Sequence, residues 1–339
     1  MQAVVLAEPG RFELIEQEPP PAPGPEEALV RVHRIGVCGT DLHAFAGRQP
    51  FFSYPRILGH ELGVEIVEAG TGAGVVVGER CSVEPYINDP DSPASRAGRP
   101  NCCENLRVMG VHIDGGMRPL ITVPARKLHR STKLGFDQLA LVETLCIGAH
   151  GVERAQLRAG EAALVVGAGP IGLGAIQFAQ AAGARVAVLD VNAQRLAFVR
   201  ERLGVTRLVD ASAGDAEAQV SAVFEGGLPA VVIDATGNKG SMERCFTLLA
   251  HGGRLVFLGL MTGQITFDDP NFHRRELTVL ASRNALPGTF ADVIGRIERG
   301  EIDTGPWITN RMTLTEVPAQ FAKVAAQPGL VKAMIAVEG

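Results

Sequence analysis

Residues 162–190 read AALVVGAGPIGLGAIQFAQAAGARVAVLD, and this stretch decides the fold of the chain. An apolar run predicts a strand, glycines in the spacing G-x-G-x-x-G predict a tight turn, and the small residues that follow predict a helix. A second apolar run ends at Asp190, which completes a strand–helix–strand unit. Gly167 allows the turn, Gly169 lets the backbone approach a pyrophosphate, and Gly172 lets the helix pack on the strand. The pattern therefore predicts a dinucleotide-binding unit.

The chemistry of the same stretch indicates which dinucleotide it binds. Pro170 suits the first helical position, and the helix N-terminus offers free N–H groups and a positive dipole end to the phosphates. Asp190 is placed to accept both ribose hydroxyls, which favours NAD and repels the 2′-phosphate of NADP. The predicted cofactor contacts are Gly167, Gly169, Pro170, Ile171, Gly172, Asp190, Arg195, Thr236, Leu258 and Gly259.

Composition narrows the class of protein. The segment between Glu161 and Arg185 carries no charge and is long enough to span a bilayer, but its fingerprint glycines and two helical glutamines argue against lipid. A chain of 339 residues, with 46% hydrophobic and 20% charged residues, is typical of a soluble two-domain protein. A net charge of −5 provides no basic field for nucleic acid. Six irregularly spaced cysteines without a secretion signal predict reduced thiols and a cytoplasmic protein that acts on small molecules.

The hydrophobic pattern divides the chain into two predicted domains of an α/β protein. Residues 1–144 and 287–339 are expected to form one mostly β domain, which includes a helix over 290–299 and a closing strand over 331–337. Residues 145–286 are expected to form a doubly wound parallel sheet, with its ligand crevice beyond the carboxyl ends of the strands. Its six predicted strands are 163–166, 185–189, 207–209, 230–234, 254–258 and 277–281.

Candidate metal ligands lie in the first domain. Cys38, His60, Glu61 and Glu143 supply thiolate, imidazole and carboxylate groups, a set that zinc accepts in a tetrahedral site with one position open. Such a zinc would polarise a carbinol oxygen so that it ionises near neutral pH and prepares the carbon to release hydride.

At these residues the chain resembles the zinc-dependent medium-chain dehydrogenases, which include alcohol, sorbitol and threonine dehydrogenases. The resemblance covers essentially the whole length and depends on the segments 36–41, 59–61, 114–116 and 141–143 and on the glycine fingerprint. It implies a GroES-like catalytic domain beside a Rossmann domain. It also implies catalytic zinc on Cys38, His60 and a carboxylate, which is Glu61, Glu143 or each in different states. A proton relay is implied from Thr40, through the ribose hydroxyl, to His43.

Two departures from the family pattern change what is expected. The family often binds a second, structural zinc through four cysteines that follow a segment like 83–86, but here those positions are Asp89, Ser92, Ser95 and Cys103. Serine hydroxyls are poor zinc ligands, so we expect one catalytic zinc and no structural zinc. Thr144 follows Glu143 where the family commonly has proline, which alters the backbone beside a predicted ligand.

The substrate interpretation depends on several segments that resemble the bacterial sugar-acid branch of the family, the L-galactonate and L-gulonate 5-dehydrogenases. These segments are 49–56, 101–104, 235–238, 270–273 and 282–285. The predicted substrate is therefore a polyhydroxy acid or polyol that is contacted by Arg118, Arg283 and Asn284, because a guanidinium can hold a carboxylate through two hydrogen bonds.

Other interpretations of the sequence stay open at this point. A threonine-type or simple alcohol dehydrogenase would share every motif, and a non-catalytic NAD(H)-binding module would keep the fold but not need the metal ligands. The apolar strand 277–281 is a candidate sheet edge, and the family implies a homodimer or homotetramer.

Overall fold

The computed structural model of the chain describes residues 1–49, 52–327 and 329–338. Pro50 and Phe51, which belong to one of the segments that resemble the sugar-acid branch, lie outside the described residues. The chain divides into two compact units, Met1–Thr144 with Ala285–Gly339 and Leu145–Asn284. The sequence pattern placed the corresponding divisions after residues 144 and 286.

The first unit is built mainly from β-strands. Its strands are β1 (Gln2–Glu8), β2 (Arg11–Glu16), β3 (Glu27–Gly36), β4 (Glu61–Ala69), β5 (Arg80–Val83), β6 (Tyr86–Ile87), β7 (Arg107–Val108), β8 (Leu120–Pro124) and β9 (Leu128–Arg130). Its helices in this half are α1 (Gly39–Phe45), α2 (Pro93–Arg96) and α3 (Phe136–Ala155), and α3 runs on into the second unit. Short 3₁₀ turns occupy Pro100–Cys102 and Ala125–Lys127.

The second unit alternates strands and helices along the chain. Its strands are β10 (Ala162–Val166), β11 (Arg185–Asp190), β12 (Arg207–Asp210), β13 (Val231–Asp234), β14 (Arg254–Phe257) and β15 (Thr278–Ala281). Its helices are α4 (Pro170–Ala181), α5 (Ala193–Leu203), α6 (Ala216–Val223), α7 (Lys239–Arg244) and α8 (Asp269–Arg274).

The C-terminal tail belongs to the first unit. It contains α9 (Pro287–Glu298), β16 (Ile308–Thr313), a 3₁₀ turn (Leu314–Glu316), α10 (Val317–Ala325) and β17 (Lys332–Ala336). β17 pairs antiparallel with β3 and thereby joins the tail to the first sheet. The predicted helix over 290–299 and closing strand over 331–337 are confirmed, with ends that differ by a few residues.

The sheet of the first unit runs in the order β16-β17-β3-β4-β5-β9, and β8 also pairs with β3. Buried and half-buried residues alternate along much of β3, as expected for a strand with one face on a core. The core beneath it includes Val30, Ile35, Leu62 and Val64. The site described below lies where β3 ends and β4 begins.

The sheet of the second unit is parallel and has the order β12-β11-β10-β13-β14-β15. This order confirms the predicted doubly wound fold, which reverses direction beside β10. Every residue of β10 is buried, because helices cover both faces of a parallel sheet. The six predicted strands are all confirmed, to within two residues at each end. Within the described residues, no helix has both the length and the apolar character that crossing a membrane requires.

The glycine turn depends on Gly172, because a Cβ there would lie 1.8 Å from the carbonyl oxygen of Gly167. Gly172→Ala must therefore separate α4 from the end of β10, and we expect it to lower the free energy of unfolding by at least about 1–3 kcal/mol. Urea unfolding monitored by far-UV circular dichroism measures the change. Gly240→Ala is the matched control in the same unit, since a Cβ there meets its nearest atom at 3.6 Å. Equal midpoints for both variants would contradict the packing argument.

Candidate metal and cofactor sites

Three candidate metal ligands converge at one end of the first sheet. One ligand atom each from Cys38, His60 and Glu61 lies within 4.8 Å of the other two. The pairing of β3 with β4 causes this, because Gly36 lies opposite Glu61 and the residues just beyond the pair come together. Gly36 must be glycine, since a Cβ there would lie 2.0 Å from a carboxylate oxygen of Glu61.

Asp41 supports this group from the first turn of α1. Its Oδ2 accepts a hydrogen bond of 2.8 Å from the backbone N–H of Cys38, and its Oδ1 lies 3.8 Å from Nδ1 of His60. Burial raises the pKa of Asp41, although nearby His60 opposes the shift. Burial alone would lower the pKa of His60, but Cys38 and Asp41 raise it well above its usual value.

The residues in this group fit a bound metal ion. His60 Nδ1 and Asp41 Oδ1 are buried and lack a hydrogen-bond partner within the described residues, an arrangement that is costly unless another charge compensates it. Sulfur, imidazole nitrogen and carboxylate oxygen are also the donor set that zinc prefers.

Glu61 is held by a residue that the sequence analysis did not single out. The Lys332 ammonium on β17 donates to both Glu61 carboxylate oxygens, at 2.6 and 2.8 Å. It also donates to the Thr144 hydroxyl at 3.0 Å and to the Val37 carbonyl at 3.2 Å. Burial tends to raise the pKa of Glu61, but Lys332, His60 and Thr144 together lower it. A lone lysine in the apolar segment 331–337 was the available signal in the sequence.

Glu143 lies beside this group but outside its 4.8 Å limit. It is buried, and its Oε1 accepts a hydrogen bond from the hydroxyl of Tyr86, which is buried as well. Burial raises the pKa of Glu143, and the electrostatic effect of His60 opposes the shift. Both predicted carboxylates therefore approach His60, and each is held by a different partner.

The two predicted relay residues lie on α1. Thr40 is half-buried and His43 is exposed, and their spacing of three positions places them on neighbouring sites of the helix surface. In the part of the chain that the structure describes, no hydrogen bond joins their side chains.

In the second unit, the glycine turn leads directly into α4. Gly167 has a φ of +94°, and Gly169 is the N-cap residue of α4 without a side-chain cap. The first N–H groups of the helix are therefore available to a phosphate, as the fingerprint predicts. Pro170 and Ile171 form the start of α4.

Asp190 and Arg195 lie next to this turn. Asp190 Oδ2 accepts a hydrogen bond of 2.6 Å from the N–H of Ala168, and Oδ1 accepts one of 2.8 Å from the N–H of Asn192. Each oxygen keeps a second lone pair for a ribose hydroxyl. Nη1 of Arg195 lies 3.7 Å from the point where a Cβ on Gly169 would be. Asp190 and Arg195 therefore lie beside the same glycine turn.

The remaining predicted cofactor residues surround Asp234 at the end of β13. This fully buried carboxylate accepts hydrogen bonds from the hydroxyl and N–H of Thr236 and from the hydroxyl of Ser241. The N–H groups of Leu258 and Gly259 donate to its backbone carbonyl, at 2.9 and 3.1 Å. Asp234 thus connects the loops that follow β13 and β14.

Comparison with known proteins identifies the family. The family model for zinc-binding dehydrogenases matches residues 170–299, and the model for the GroES-like domain of alcohol dehydrogenases matches residues 24–133. The L-galactonate-5-dehydrogenase of Escherichia coli K12 is 46% identical over 292 residues, which cover 86% of each chain. The chain belongs to the zinc-binding alcohol dehydrogenase family. The family resemblance found in the sequence is thereby confirmed.

Two further members of the family are similar over nearly their whole length. The 2-dehydro-3-deoxy-L-galactonate 5-dehydrogenase of Pseudoalteromonas atlantica is 32% identical, over 93% of this chain and 92% of its own. A zinc-binding dehydrogenase from Sinorhizobium meliloti, solved with NADP bound, is also 32% identical. It superposes with a TM-score of 0.90 over 99% of this chain and 98% of its own.

At the four positions where the family often binds a structural zinc, this chain has a cluster of hydrogen-bonded side chains instead of four cysteines. The Ser92 hydroxyl donates to that of Ser95 at 2.9 Å, and the N–H of Asp89 donates to the Cys103 sulfur at 3.3 Å. Burial would raise the pKa of the Cys103 thiol, but hydrogen bonds from Ser92 and from neighbouring groups lower it. The four positions therefore still converge, and hydrogen bonds connect them.

The predicted substrate residues belong to both units, Arg118 to the first and Arg283 and Asn284 to the second. Arg118 is half-buried, donates to the Gly115 carbonyl at 3.1 Å and lines a cavity of about 300 Å³ with Arg107 and Thr122. The lining of that cavity includes none of the four predicted metal ligands. Arg283 and Asn284 follow β15 in the second unit, where Arg283 is exposed and Asn284 has a left-handed φ of +54°.

Removal of Lys332 tests the ion pair that holds Glu61. We expect Lys332→Met to lower the free energy of unfolding of the metal-free protein by about 3–5 kcal/mol, because it leaves a buried carboxylate unpaired. Lys332→Met combined with Glu61→Gln should recover most of the loss, since both charges are then absent. Fluorescence of Trp307, the one tryptophan of the chain and a buried residue of the first unit, reports the transition in urea. Lys323→Met, at an exposed lysine of α10, is the control, and no recovery in the double variant would refute the pairing.

Proposed function

We propose that this dehydrogenase oxidises a secondary alcohol of a sugar acid or polyol of the L-galactonate or L-gulonate type, with NAD as hydride acceptor. The converging Cys38, His60 and Glu61 side chains carry the proposal, because they supply the metal site that this chemistry needs. The substrate class is supported by the relatives named for L-galactonate and 2-dehydro-3-deoxy-L-galactonate. The sugar-acid segments of the sequence favour the same class.

In this proposal the metal site binds one zinc ion through Cys38, His60 and one of the carboxylates Glu61 and Glu143. When bound, zinc supplies a Lewis acid that lowers the pKa of the substrate hydroxyl, and NAD accepts the hydride. Asp41 fixes the N–H of Cys38 and places a carboxylate oxygen 3.8 Å from Nδ1 of His60, so these two ligand residues are held close together before a metal binds. A second zinc is not required, because hydroxyls and backbone groups already connect Ser92, Ser95 and Cys103.

The proton and the cofactor are handled by other residues of the chain. With NAD bound, Thr40 would accept the hydroxyl proton and the exposed imidazole of His43 would release it to water, and the cofactor ribose would supply the hydroxyl between the two residues. The N-terminus of α4 binds the pyrophosphate, and Asp190 accepts the ribose hydroxyls. Arg118, Arg283 and Asn284 are the proposed contacts to the carboxylate and hydroxyls of the substrate.

The proposed setting is a cytoplasmic homodimer or homotetramer. All six cysteines are free thiols, which suits a reducing compartment. β15 is the last strand of its sheet, and its exposed Thr278, Val279 and Ala281 offer an edge to the same strand of a second copy.

Metal content and substrate preference test the proposal together. We expect about one zinc per chain, as one open catalytic site requires, and NAD reduction with L-galactonate or L-gulonate in a panel that includes polyols, threonine and simple alcohols. Cys38→Ser should abolish turnover and leave NADH binding nearly intact. Two zinc ions per chain would contradict the single site. Activity only on threonine or short alcohols would contradict the proposed substrate class and leave the reaction type in place. Absence of both zinc and turnover would favour an NAD(H)-binding module without chemistry.

Cofactor preference tests the role of Asp190. Asp190→Asn removes the charge that repels a 2′-phosphate and weakens the bond to the ribose, so the preference for NAD over NADP should fall about 10- to 100-fold. The ratio of kcat/KM values for the two cofactors is the measurement, because a general disturbance of the turn affects both alike. Asp210→Asn, at the end of the neighbouring strand β12, is the control. An unchanged ratio in Asp190→Asn would refute the ribose contact.

A further inference from the structure

The segment 83–86 precedes the positions at which the family often binds a structural zinc, yet the proposed reaction assigns it no role. Its last residue, Tyr86, donates a hydrogen bond to Glu143 in the interior of the first unit. The two side chains are 2% and 4% exposed, so the bond forms out of contact with bulk water. A phenol that faces a candidate metal ligand in this way is placed to control the orientation of that ligand.

The position of Tyr86 is fixed by its backbone neighbours. Tyr86 pairs with Val108 between β6 and β7, and the carbonyl of Pro85 accepts a hydrogen bond of 3.0 Å from the N–H of Met109. Glu84 is anchored as well, because its N–H donates to the carbonyl of Lys127 at 2.8 Å. The main chain on both sides of Tyr86 is thus held in place.

The Tyr86 ring is also constrained from the side. It makes an edge-on contact with Phe290, with ring centroids 6.2 Å apart at 71°. Phe290 in turn stacks on His129 with ring centroids 4.7 Å apart, and Nε2 of His129 lies 3.1 Å from Oε2 of Glu84. The ammonium of Lys127 pairs with the same carboxylate. These contacts restrict the movement of the Tyr86 ring, so its hydroxyl is held beside Glu143.

The two candidate carboxylates differ in how many of their oxygens are engaged. Lys332 holds both oxygens of Glu61. Tyr86 holds only Oε1 of Glu143, and Oε2 makes no hydrogen bond within the described ranges 1–49, 52–327 and 329–338. Glu143 therefore keeps one oxygen for another partner, whereas the Glu61 carboxylate must leave an ammonium before it can bind elsewhere.

We propose that Tyr86 is a positioning residue that holds Oε1 of Glu143 so that its other oxygen serves as a ligand of the catalytic metal ion. This inference rests on the proposed metal site. It also selects between the two carboxylates that the sequence left open, because it makes Glu143 the ligand in the resting protein. Groups that orient a metal ligand in this manner commonly contribute 10- to 100-fold to metal affinity.

The test uses zinc affinity, which does not depend on turnover. The full chain is freed of metal, and zinc is titrated in competition with a chromophoric chelator. We expect Tyr86→Phe and Glu143→Gln each to weaken zinc binding about 10- to 100-fold, and the double variant to bind no more weakly than Glu143→Gln alone. Tyr54→Phe is the matched control, because it removes the other tyrosine hydroxyl of the chain, which donates to the Ala44 carbonyl.

The outcomes separate this inference from the proposed function. If the parent protein binds no zinc, the metal site itself is refuted. If the parent binds zinc and Tyr86→Phe binds it equally well, or if the losses of the two single variants multiply, only the role of Tyr86 is overturned.

A second measurement does not require the Tyr86 variant to fold. Labelling with 3-fluorotyrosine gives two fluorine resonances, because the chain has two tyrosines, and Tyr54→Phe assigns them. Addition of zinc should shift the Tyr86 resonance and leave that of Tyr54 in place. A Tyr86 resonance that does not respond to zinc would overturn the proposal.

Discussion

The ion pair between Lys332 and Glu61 connects the two chain segments that make up the first unit, Met1–Thr144 and Ala285–Gly339. Glu61 opens β4, and Lys332 opens β17, 271 positions later in the chain. The whole second unit is inserted between these residues, so the first unit is complete only when the C-terminal tail pairs with β3. A buried charge pair is costly to break, since either partner alone would be an uncompensated charge. The pair therefore couples the return of the tail to the geometry of the segment that contains the candidate metal ligands His60 and Glu61.

The second unit was predictable from the sequence because its signals are local. The stretch 162–190 contains the glycine spacing, two of the apolar runs and Asp190, and each of these signals has one physical explanation. Strands of a parallel sheet are buried on both faces, so they appear as continuous apolar runs that are easy to find. Strand ends differed by at most one residue, since a terminal residue such as Leu258 is apolar but lies beyond the last ladder bond.

The candidate metal site was only partly predictable. Cys38, His60 and Glu61 belong to motifs that can be read directly, and the register of β3 and β4 brings them together. Lys332 and Tyr86 were not predicted, because their roles come from contacts with residues 271 and 57 positions away. Thr144 shows the same limit. The sequence marked it only as a departure from proline, and the structure places its hydroxyl on the Lys332 ammonium.

Lys332 and Tyr86 matter because the candidate metal site brings several acidic side chains together. Cys38, Asp41, Glu61 and Glu143 all face the same buried space around His60, and burial alone favours the neutral form of each carboxyl group. Lys332 compensates Glu61 with a full charge, whereas Tyr86 compensates Glu143 with a single neutral donor. Glu143 thus remains the less compensated of the two carboxylates. In the proposed site, a divalent cation would relieve that imbalance at Glu143, so the uneven compensation of the two carboxylates favours Glu143 as the ligand.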